Sequence, residues 1–151
     1  MITITKAQID DVREIQMVLY QVWLVTYPNE KAGITVEDIE ERFKEKLTED
    51  GIEKRKQNFL DNASQNEFFL VAREGDTMVG VCSVKIKEKY NQLQAIYVLP
   101  EHQGKGIGRM FWNEAMRLFD PEKRVIIQVA IYNKKAIGFY TKLGFVDTGK
   151  R

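Results

Sequence analysis

The sequence predicts a mixed α/β (α+β) fold, in which helices flank a mostly antiparallel central sheet that ends in a βαβ unit. Three strand-like segments follow one another between residues 68 and 99, separated by short polar turns. The third segment runs into a glycine-rich loop, an amphipathic helix and then the apolar run at residues 125–130. Strands joined by short turns pair antiparallel, whereas a strand, a helix and a second strand form a parallel unit.

The N-terminal half predicts one short strand and two helical regions. Residues 2–5 alternate apolar and polar side chains, and apolar residues then recur at helical spacing until Pro28 ends the helix. Residues 35–63 form the second helical region, which begins with a capping box at Thr35. We expect this region to be broken near Gly51, because glycine weakens a helix interior.

Residues 68–73 and 78–87 predict a β-hairpin. Both segments are rich in apolar and β-branched residues, and the turn-forming pair Gly75-Asp76 lies between them. A strand at residues 93–99 follows, so the three strands should form an antiparallel meander. Cys82, in the middle strand, is expected to be a small buried apolar residue.

The segment beyond the glycine-rich loop predicts a helix, a strand and a last helix. Apolar residues recur at helical spacing from Ile107 until Asp120-Pro121 ends the helix. Residues 125–130 are almost continuously apolar, which is typical of a strand buried on both faces. Asn133 is expected to cap the start of the last helix and Gly144 its end.

The composition excludes several classes of protein. The 151 residues suit one domain spanning residues 1–151, and 23 basic against 22 acidic residues argue against a nucleic-acid partner. The sequence has neither a membrane-spanning apolar run nor a signal-peptide core, so we expect no membrane partner. The single cysteine, Cys82, excludes an internal disulfide and fits the cytoplasm. With His102 as the one histidine, we expect no metal site and interpret His102 as a loop residue.

Residues 103–108, Gln-Gly-Lys-Gly-Ile-Gly, are typical of a loop that binds phosphate. Gly104, Gly106 and Gly108 allow a tight turn and leave no Cβ between the backbone amides and a ligand. The first amides of the following helix have no partner within the helix and lie at the positive end of its dipole, so they can bind an anion. The alternative is a loop that only reverses the chain.

Neither common nucleotide-binding template fits this loop. The dinucleotide-binding fingerprint requires G-x-G-x-x-G and an acidic residue about 20 positions later. Here the spacing is G-x-G-x-G, and no acidic residue lies at that distance. The P-loop requires G-K-[ST], but Lys105 is followed by Gly106, which has no hydroxyl group.

The loop instead resembles the pyrophosphate-binding motif of the GCN5-related N-acetyltransferase (GNAT) superfamily. That motif, Q/R-x-x-G-x-G/A after a strand ending in V-x-P, is matched by Gln103, Gly106 and Gly108. Residues 133–145 resemble the second signature of the family, N-x-x-A-x-x-F-Y-x-x-x-G-F. The two motifs occur in the family's order, with a helix and a strand between them, whereas the N-terminal half resembles the family only in pattern. The resemblance implies a GNAT-like sheet whose two parallel strands splay apart.

The resemblance also implies that acetyl-CoA is the co-substrate. Its pantetheine arm would lie beside residues 96–98 like an added strand, and the N–H of Val98 would stabilise the oxyanion formed from the thioester carbonyl. The diphosphate would bind the amides of residues 103–109. The residues expected to contact the cofactor are Ile96, Tyr97, Val98, Gln103, Gly104, Lys105, Gly106, Ile107, Gly108, Arg109, Asn133, Lys135, Tyr140 and Lys142.

Direct attack by an amine in a ternary complex requires two proton transfers. Tyr140 occupies the position where many family members place the general acid that protonates the departing thiolate; alternatively, it packs the last helix against the sheet. A primary amine, with a pKa of about 10.4, must lose a proton before it attacks. Gln92 and Gln94 stand where related enzymes can carry a carboxylate, so Glu30, Glu67 and bound water remain as candidate bases.

The expected acceptor is a small amine. The segment W-x-x-x-Y-P at residues 23–28 resembles polyamine acetyltransferases of the superfamily, which makes Trp23, Tyr27 and Glu30 candidate substrate contacts. Alternatively, Trp23 lies in the core and Tyr27 packs at a helix end. The acidic run at residues 37–53 would suit a cationic acceptor such as a polyamine, or it forms a solvated helix face.

Two other functions remain open from the sequence: acetylation of a protein or peptide, and a non-catalytic CoA-binding sensor or interaction module. Family members usually continue through one or two further strands after the G-F pair, but only residues 145–149 are available here. We therefore expect the C-terminal strand to be missing or to be completed by a partner, for which a homodimer is one arrangement.

Overall fold

Five strands form one sheet in a computed structural model of the chain, which describes residues 1–150. The strands are β1 (Ile2–Lys6), β2 (Glu67–Glu74), β3 (Thr77–Ile86), β4 (Asn91–Val98) and β5 (Val125–Ile126), and they lie in this order across the sheet. Neighbouring strands are antiparallel except β4 and β5, which are parallel. The mostly antiparallel sheet with a βαβ unit is confirmed.

Five α-helices flank the sheet: α1 (Val12–Thr26), α2 (Val36–Lys44), α3 (Glu49–Ala63), α4 (Ile107–Leu118) and α5 (Lys134–Lys142). Alternate residues of each strand face opposite sides, so Leu70 and Cys82 pack on the side of α4, while Val71 and Val81 pack on the side of α1. Two apolar cores therefore lie on opposite faces of the sheet. No helix in the described part of the chain is both long and apolar enough to cross a membrane.

The break between α2 and α3 lies earlier than predicted. The chain leaves helical structure after Lys44, and the hydroxyl of Thr48 caps α3 by accepting a hydrogen bond from the N–H of Gly51 at 3.0 Å. Gly51 is therefore inside the first turn of α3. A Cβ on Gly51 would come within 2.0 Å of the carbonyl oxygen of Glu45, so glycine is needed there for close packing and not to end a helix.

The predicted strand at residues 125–130 is also shorter than expected. Only Val125 and Ile126 pair with β4, and residues 125–127 are half-buried, whereas Gln128 is exposed. The apolar side chains of Ile127 and Val129 still pack against the core on the α4 side. An apolar run indicates burial, and here burial continues after backbone pairing has stopped.

The last helix has the predicted ends. The side chain of Asn133 accepts a hydrogen bond from the N–H of Ala136 at 3.2 Å, and Gly144 follows the helix with a φ of +101°. Residues 145–150 form neither helix nor strand.

Candidate active site

The loop between β4 and α4 has open backbone amides after Gln103, whose own N–H donates to the carbonyl of Pro100 at 3.3 Å. A short 3-10 turn, Pro100–His102, leads into two glycines, Gly104 and Gly106, which both have a left-handed φ of +82°. A Cβ on either glycine would have no heavy atom within 4 Å, so the backbone conformation alone requires glycine. Gly106 is the N-cap of α4 and provides no capping side chain. The first amides of α4 are therefore available to bind an anion.

Gly108 has a different role from the other two glycines. It lies within the first turn of α4, so the expectation that it helps to turn the loop is wrong. A Cβ on Gly108 would lie 3.1 Å from Cζ of Phe139, whose ring covers this position from α5. Gly108 thus allows α5 to pack closely on the start of α4.

Gln103 connects the end of β4 to α5. Its Nε2 donates a hydrogen bond to the carbonyl oxygen of Val98 at 3.0 Å. Its Oε1 accepts a hydrogen bond from Nζ of Lys135. These bonds fix the position of Val98 relative to the loop.

Two basic side chains of the loop region contact Glu74 at the end of β2. Nζ of Lys105 lies 3.6 Å from Oε2 of Glu74, and Nδ1 of His102 lies 3.1 Å from the same oxygen. Arg109 and Lys142 are exposed. His102 lies in the 3-10 turn after β4, as expected for a loop residue.

Strand β4 is paired on both sides only at its beginning. It pairs with β3 along its length, but with β5 only at Asn91 and Gln92. The backbone of residues 96–98 therefore borders an open gap on the β5 side, which is the predicted divergence of the two parallel strands.

The register identifies the backbone groups that point into this gap. The N–H of Leu99 donates to the carbonyl of Val79 on β3 at 2.9 Å. Because backbone groups alternate in direction along a strand, the N–H groups of Val98 and Ile96 point away from β3. The carbonyl of Val98 points the same way and accepts the bond from Gln103. The N–H of Val98 thus points into the gap between β4 and β5.

Tyr140 lies on α5 beside this gap. Its side chain is buried, and its ring packs against Phe139 and Phe145 at centroid distances of 5.2 and 5.7 Å. Burial raises the pKa of the Tyr140 hydroxyl, and a backbone hydrogen bond from Ile96 acts in the opposite direction. The hydroxyl therefore stays protonated at neutral pH and can donate a hydrogen bond or a proton.

The side chain of Tyr97 points to the other face of the sheet, toward α1. Its hydroxyl lies 2.8 Å from the hydroxyl of Tyr27, which follows the last residue of α1. The rings of Trp23 and Tyr27 lie 4.4 Å apart. The structure therefore brings the predicted acceptor contacts Trp23 and Tyr27 together with Tyr97, which the sequence indicated only as a cofactor contact.

Tyr132 also joins this group, although no motif in the sequence indicated it. Its hydroxyl donates to the carbonyl oxygen of Tyr27 at 3.5 Å, across 105 residues of sequence. This contact connects the loop before α5 to the end of α1.

The two candidate carboxylate bases have different surroundings. Glu30 is exposed in the turn after α1. Glu67 accepts a hydrogen bond from Nε2 of Gln94 at 3.0 Å and lies 3.3 Å from Nζ of Lys85. Within residues 1–150, no three His, Cys, Asp or Glu side chains are arranged to hold a metal ion.

Residues 33–145 match the model of the acetyltransferase (GNAT) family. The chain belongs to this family. It is therefore an acetyl-CoA-dependent N-acetyltransferase, and the open amides of the loop together with the β4–β5 gap fit this co-substrate.

Relatives of this GNAT chain include two curated proteins. It is 31% identical to a spermidine N(1)-acetyltransferase of Thermoplasma acidophilum over 154 residues, which cover 95% of this chain and 88% of that protein. It is 32% identical to a spermidine N(1)-acetyltransferase of Vibrio cholerae over 96 residues, or 59% of this chain and 53% of that protein.

The fold is also that of a solved structure, the PaiA N-acetyltransferase of Thermoplasma acidophilum in complex with coenzyme A. The two superpose with a TM-score of 0.82 at 25% identity, over 100% of this chain and 93% of the other.

Proposed function

We propose that this GNAT enzyme transfers the acetyl group of acetyl-CoA to the primary amine of a small molecule, by direct attack in a ternary complex. The observation that carries the proposal is the N–H of Val98, which points into the gap between β4 and β5. The phosphate-binding loop and the hydroxyl of Tyr140 lie at two borders of the same gap.

The loop and the gap would bind different parts of acetyl-CoA. The amides of residues 104–109 would bind the diphosphate, and Lys105 and Arg109 would add positive charge. The N–H of Gln103, expected to take part, is bonded to the carbonyl of Pro100. The pantetheine arm would bind along residues 96–98, where Ile96, Tyr97 and Val98 contribute backbone and not side chains. Asn133 contributes indirectly, because its side chain caps α5 and so positions Tyr140.

The chemistry then balances once each proton is accounted for. A C–N bond forms between the amine and the acetyl carbon, and the C–S bond breaks. The N–H of Val98 stabilises the negative charge that develops on the carbonyl oxygen. An ammonium ion first loses one proton to water, which gives the neutral amine that attacks. After the C–N bond forms, the nitrogen loses a second proton to water or buffer, while the hydroxyl of Tyr140 donates its proton to the departing sulfur and regains one from solvent.

Two observations support a polyamine as the acceptor. The two curated relatives are named for acetylation of spermidine. In addition, α2 borders an open cleft of about 480 Å³ that is lined by Glu37, Glu40 and Glu41. Phe43 of this cleft contacts the ring of Trp23 at 5.7 Å, so the acidic surface begins beside the aromatic group.

The test is a panel of acceptors supplied with acetyl-CoA. The panel contains di-, tri- and tetra-amines, simple monoamines, and peptides with a free N-terminus or lysine; CoA release and the mass of the product are measured. We expect acetylated polyamine, with lower turnover of monoamines and none of peptides. Acetylation of peptides alone would replace the proposal by a protein acetyltransferase.

A second measurement separates catalysis from binding. By mass action, CoA at a hundredfold excess over its Kd should stabilise the fold by about 2.7 kcal/mol. Stabilisation by CoA without acetylation of any amine would indicate a non-catalytic CoA-binding module.

A further inference from the structure

We propose that the hydrogen-bonded hydroxyls of Tyr27 and Tyr97 bind the acceptor amine and position it for attack on the thioester. We call these two residues the tyrosine pair. This inference rests on the proposed function, because it assigns the amine subsite of the same active site.

The tyrosine pair lies next to the place where the acetyl group must bind. Tyr97 immediately precedes Val98, whose N–H faces the β4–β5 gap. The side chain of Tyr97 lies on the α1 face of the sheet, whereas Ile96 and Val98 pack on the α4 face. The pair is therefore one residue away from the predicted oxyanion contact and is separate from the core that holds Tyr140.

Burial and the electrostatic influence of the other tyrosines raise the pKa values of Tyr97 and Tyr140. The pKa of Tyr97 is raised, first by burial and then by the bond to Tyr27, with a smaller contribution from Tyr140. Tyr27 likewise contributes to the raised pKa of Tyr140. The tyrosine pair on one face and Tyr140 on the other thus lie within electrostatic reach across β4.

The tyrosine pair has hydrogen-bond donor and acceptor sites left for a ligand. Each hydroxyl carries one donor and two acceptor sites. One donor and one acceptor site are used between the two hydroxyls, at 2.8 Å. The influence of the Trp23 side chain, which lowers the pKa of Tyr97, accounts for a second acceptor site. One O–H donor and two lone pairs remain, and the N–H groups of an amine can donate to those lone pairs.

The rings around the pair favour an alkylammonium group. Trp23 and Tyr27 lie 4.4 Å apart, and Tyr27 and Tyr97 lie 6.4 Å apart with their planes at 83°. Aromatic faces attract cations within about 6 Å. Tyr132 holds the backbone of Tyr27 through its hydroxyl, which keeps the ring in place. The guanidinium of Arg42 already lies 4.7 Å from the centre of the Trp23 ring. A protonated amine would therefore find the lone pairs of the tyrosine pair and the ring faces of Tyr27 and Tyr97 here before it loses its proton.

The competing interpretation is that the two hydroxyls only anchor α1 to the sheet. Tyr27→Phe and Tyr97→Phe distinguish the two roles, because an anchor affects stability whereas a subsite affects the KM of the amine. Tyr90→Phe is the matched control: its hydroxyl bonds Nζ of Lys87 at 3.1 Å, just before β4 begins, away from residues 96–98.

We expect each single variant to raise the KM for the amine about tenfold, since a hydrogen bond to a charged group is lost, while the KM for acetyl-CoA is unchanged. The double variant should cost less than the product of the two single effects, because the hydroxyls act as one unit. The Tyr90→Phe variant should match the wild type. Calorimetric titration of the amine into the CoA-loaded protein should show the same loss of affinity without turnover.

An unchanged amine KM in both variants of an active enzyme would overturn the inference and leave the proposed function standing, even if the melting temperature fell. If the wild type neither acetylates nor binds any amine in the panel, the proposed function fails and the inference fails with it. Equal effects on the KM values of amine and acetyl-CoA would also overturn it.

Discussion

The two ends of β4 are built in opposite ways. At its beginning, the fully buried Asn91 accepts a hydrogen bond from the N–H of Asp120 and donates to the carbonyls of Asp120 and Lys123, at 3.2, 2.9 and 3.3 Å. The backbone of β4 also pairs with β5 there. At its other end, the N–H of Val98 has no strand beside it and faces the gap. We call these regions the closed end and the open end.

The difference shows how the fold can keep backbone groups available for chemistry. A buried polar group without a partner costs about 1–3 kcal/mol, so an open pair of strands needs support elsewhere. The closed end supplies it through side chain and backbone bonds that join the loop after α4 to the start of β4. The open end can therefore offer the N–H of Val98 to a ligand while the strands stay fixed at the other end.

The largest expected effect comes from breaking the closed end with Asn91→Ala. The change leaves the carbonyl of Lys123 and the N–H of Asp120 without partners, while the carbonyl of Asp120 keeps its bond from the N–H of Lys123 at 3.1 Å. The free energy of unfolding should therefore fall by about 3 kcal/mol. Chemical denaturation measures this loss. The neighbouring change Gln92→Ala, at a half-buried side chain, serves as the control and should cost less than about 1 kcal/mol. Equal losses in the two variants would contradict the contrast between the ends.

Tyr140→Phe tests the open end. Removing the hydroxyl takes away the proposed proton donor to the leaving thiolate, so kcat should fall about 100-fold, equivalent to about 2.7 kcal/mol. Binding of CoA, followed by thermal shift, should change little because the ring remains in place. Full turnover in this variant would rule out Tyr140 as the general acid.

Alkaline pH should lower the free energy of unfolding through three buried groups near the open end. Burial raises the pKa values of Tyr97, Tyr140 and Cys82 above their ordinary values of 10.0, 10.0 and 9.0. At neutral pH these groups are protonated in both states, and their contribution to stability is fully present. Above the ordinary values, the unfolded chain releases protons that the folded chain keeps, so stability falls by about 1.4 kcal/mol per pH unit for each group. Urea denaturation up to about pH 11 should show this slope, and Tyr97→Phe should reduce it; an unchanged slope would refute the assignment.

The smallest effect is expected at the loop that leads away from the open end. Gly106→Ala places a side chain at a φ of +82°, which should cost about 1 kcal/mol of stability. The added Cβ meets nothing within the chain and would project toward the bound diphosphate, so CoA affinity should also fall about fivefold. Gly75→Ala is the matched control, with a φ of +62° and equally open surroundings in the β2–β3 turn. The Gly75→Ala variant should lose a similar amount of stability but keep its affinity for CoA. An equal loss of CoA affinity in both variants would contradict the role of Gly106.

Local features of the fold were predictable because their causes lie within a few residues. The hydroxyl of Thr35 accepts from the N–H of Asp38 at 3.1 Å, and the carboxylate of Asp38 accepts from the N–H of Thr35 at 2.8 Å, as the capping box predicts. The glycine-rich loop was equally predictable, because Gly104, Gly106 and the start of α4 lie within a few residues of one another. The position of the break before α3 was not, because the close contact between Gly51 and the carbonyl of Glu45 is set by how two helices meet.

The candidate site divides in the same way. The half that we propose to bind phosphate is one continuous segment, and the sequence indicated it. The direction of the N–H of Val98 depends on the register with Val79, and the contact between Tyr27 and Tyr97 joins residues 70 positions apart. Such pairings arise only when the sheet is packed, so composition and periodicity do not predict them.

The single thiol of the chain has a practical consequence for experiments. Cys82 is fully buried in β3, at the level of Ile96 on β4, and burial raises its pKa, so it reacts slowly while the sheet is intact. A colorimetric thiol reagent will therefore report CoA produced by turnover with little background from the native enzyme. In the absence of substrate, the labelling kinetics of the same sulfur would measure how often the middle of the sheet opens to solvent.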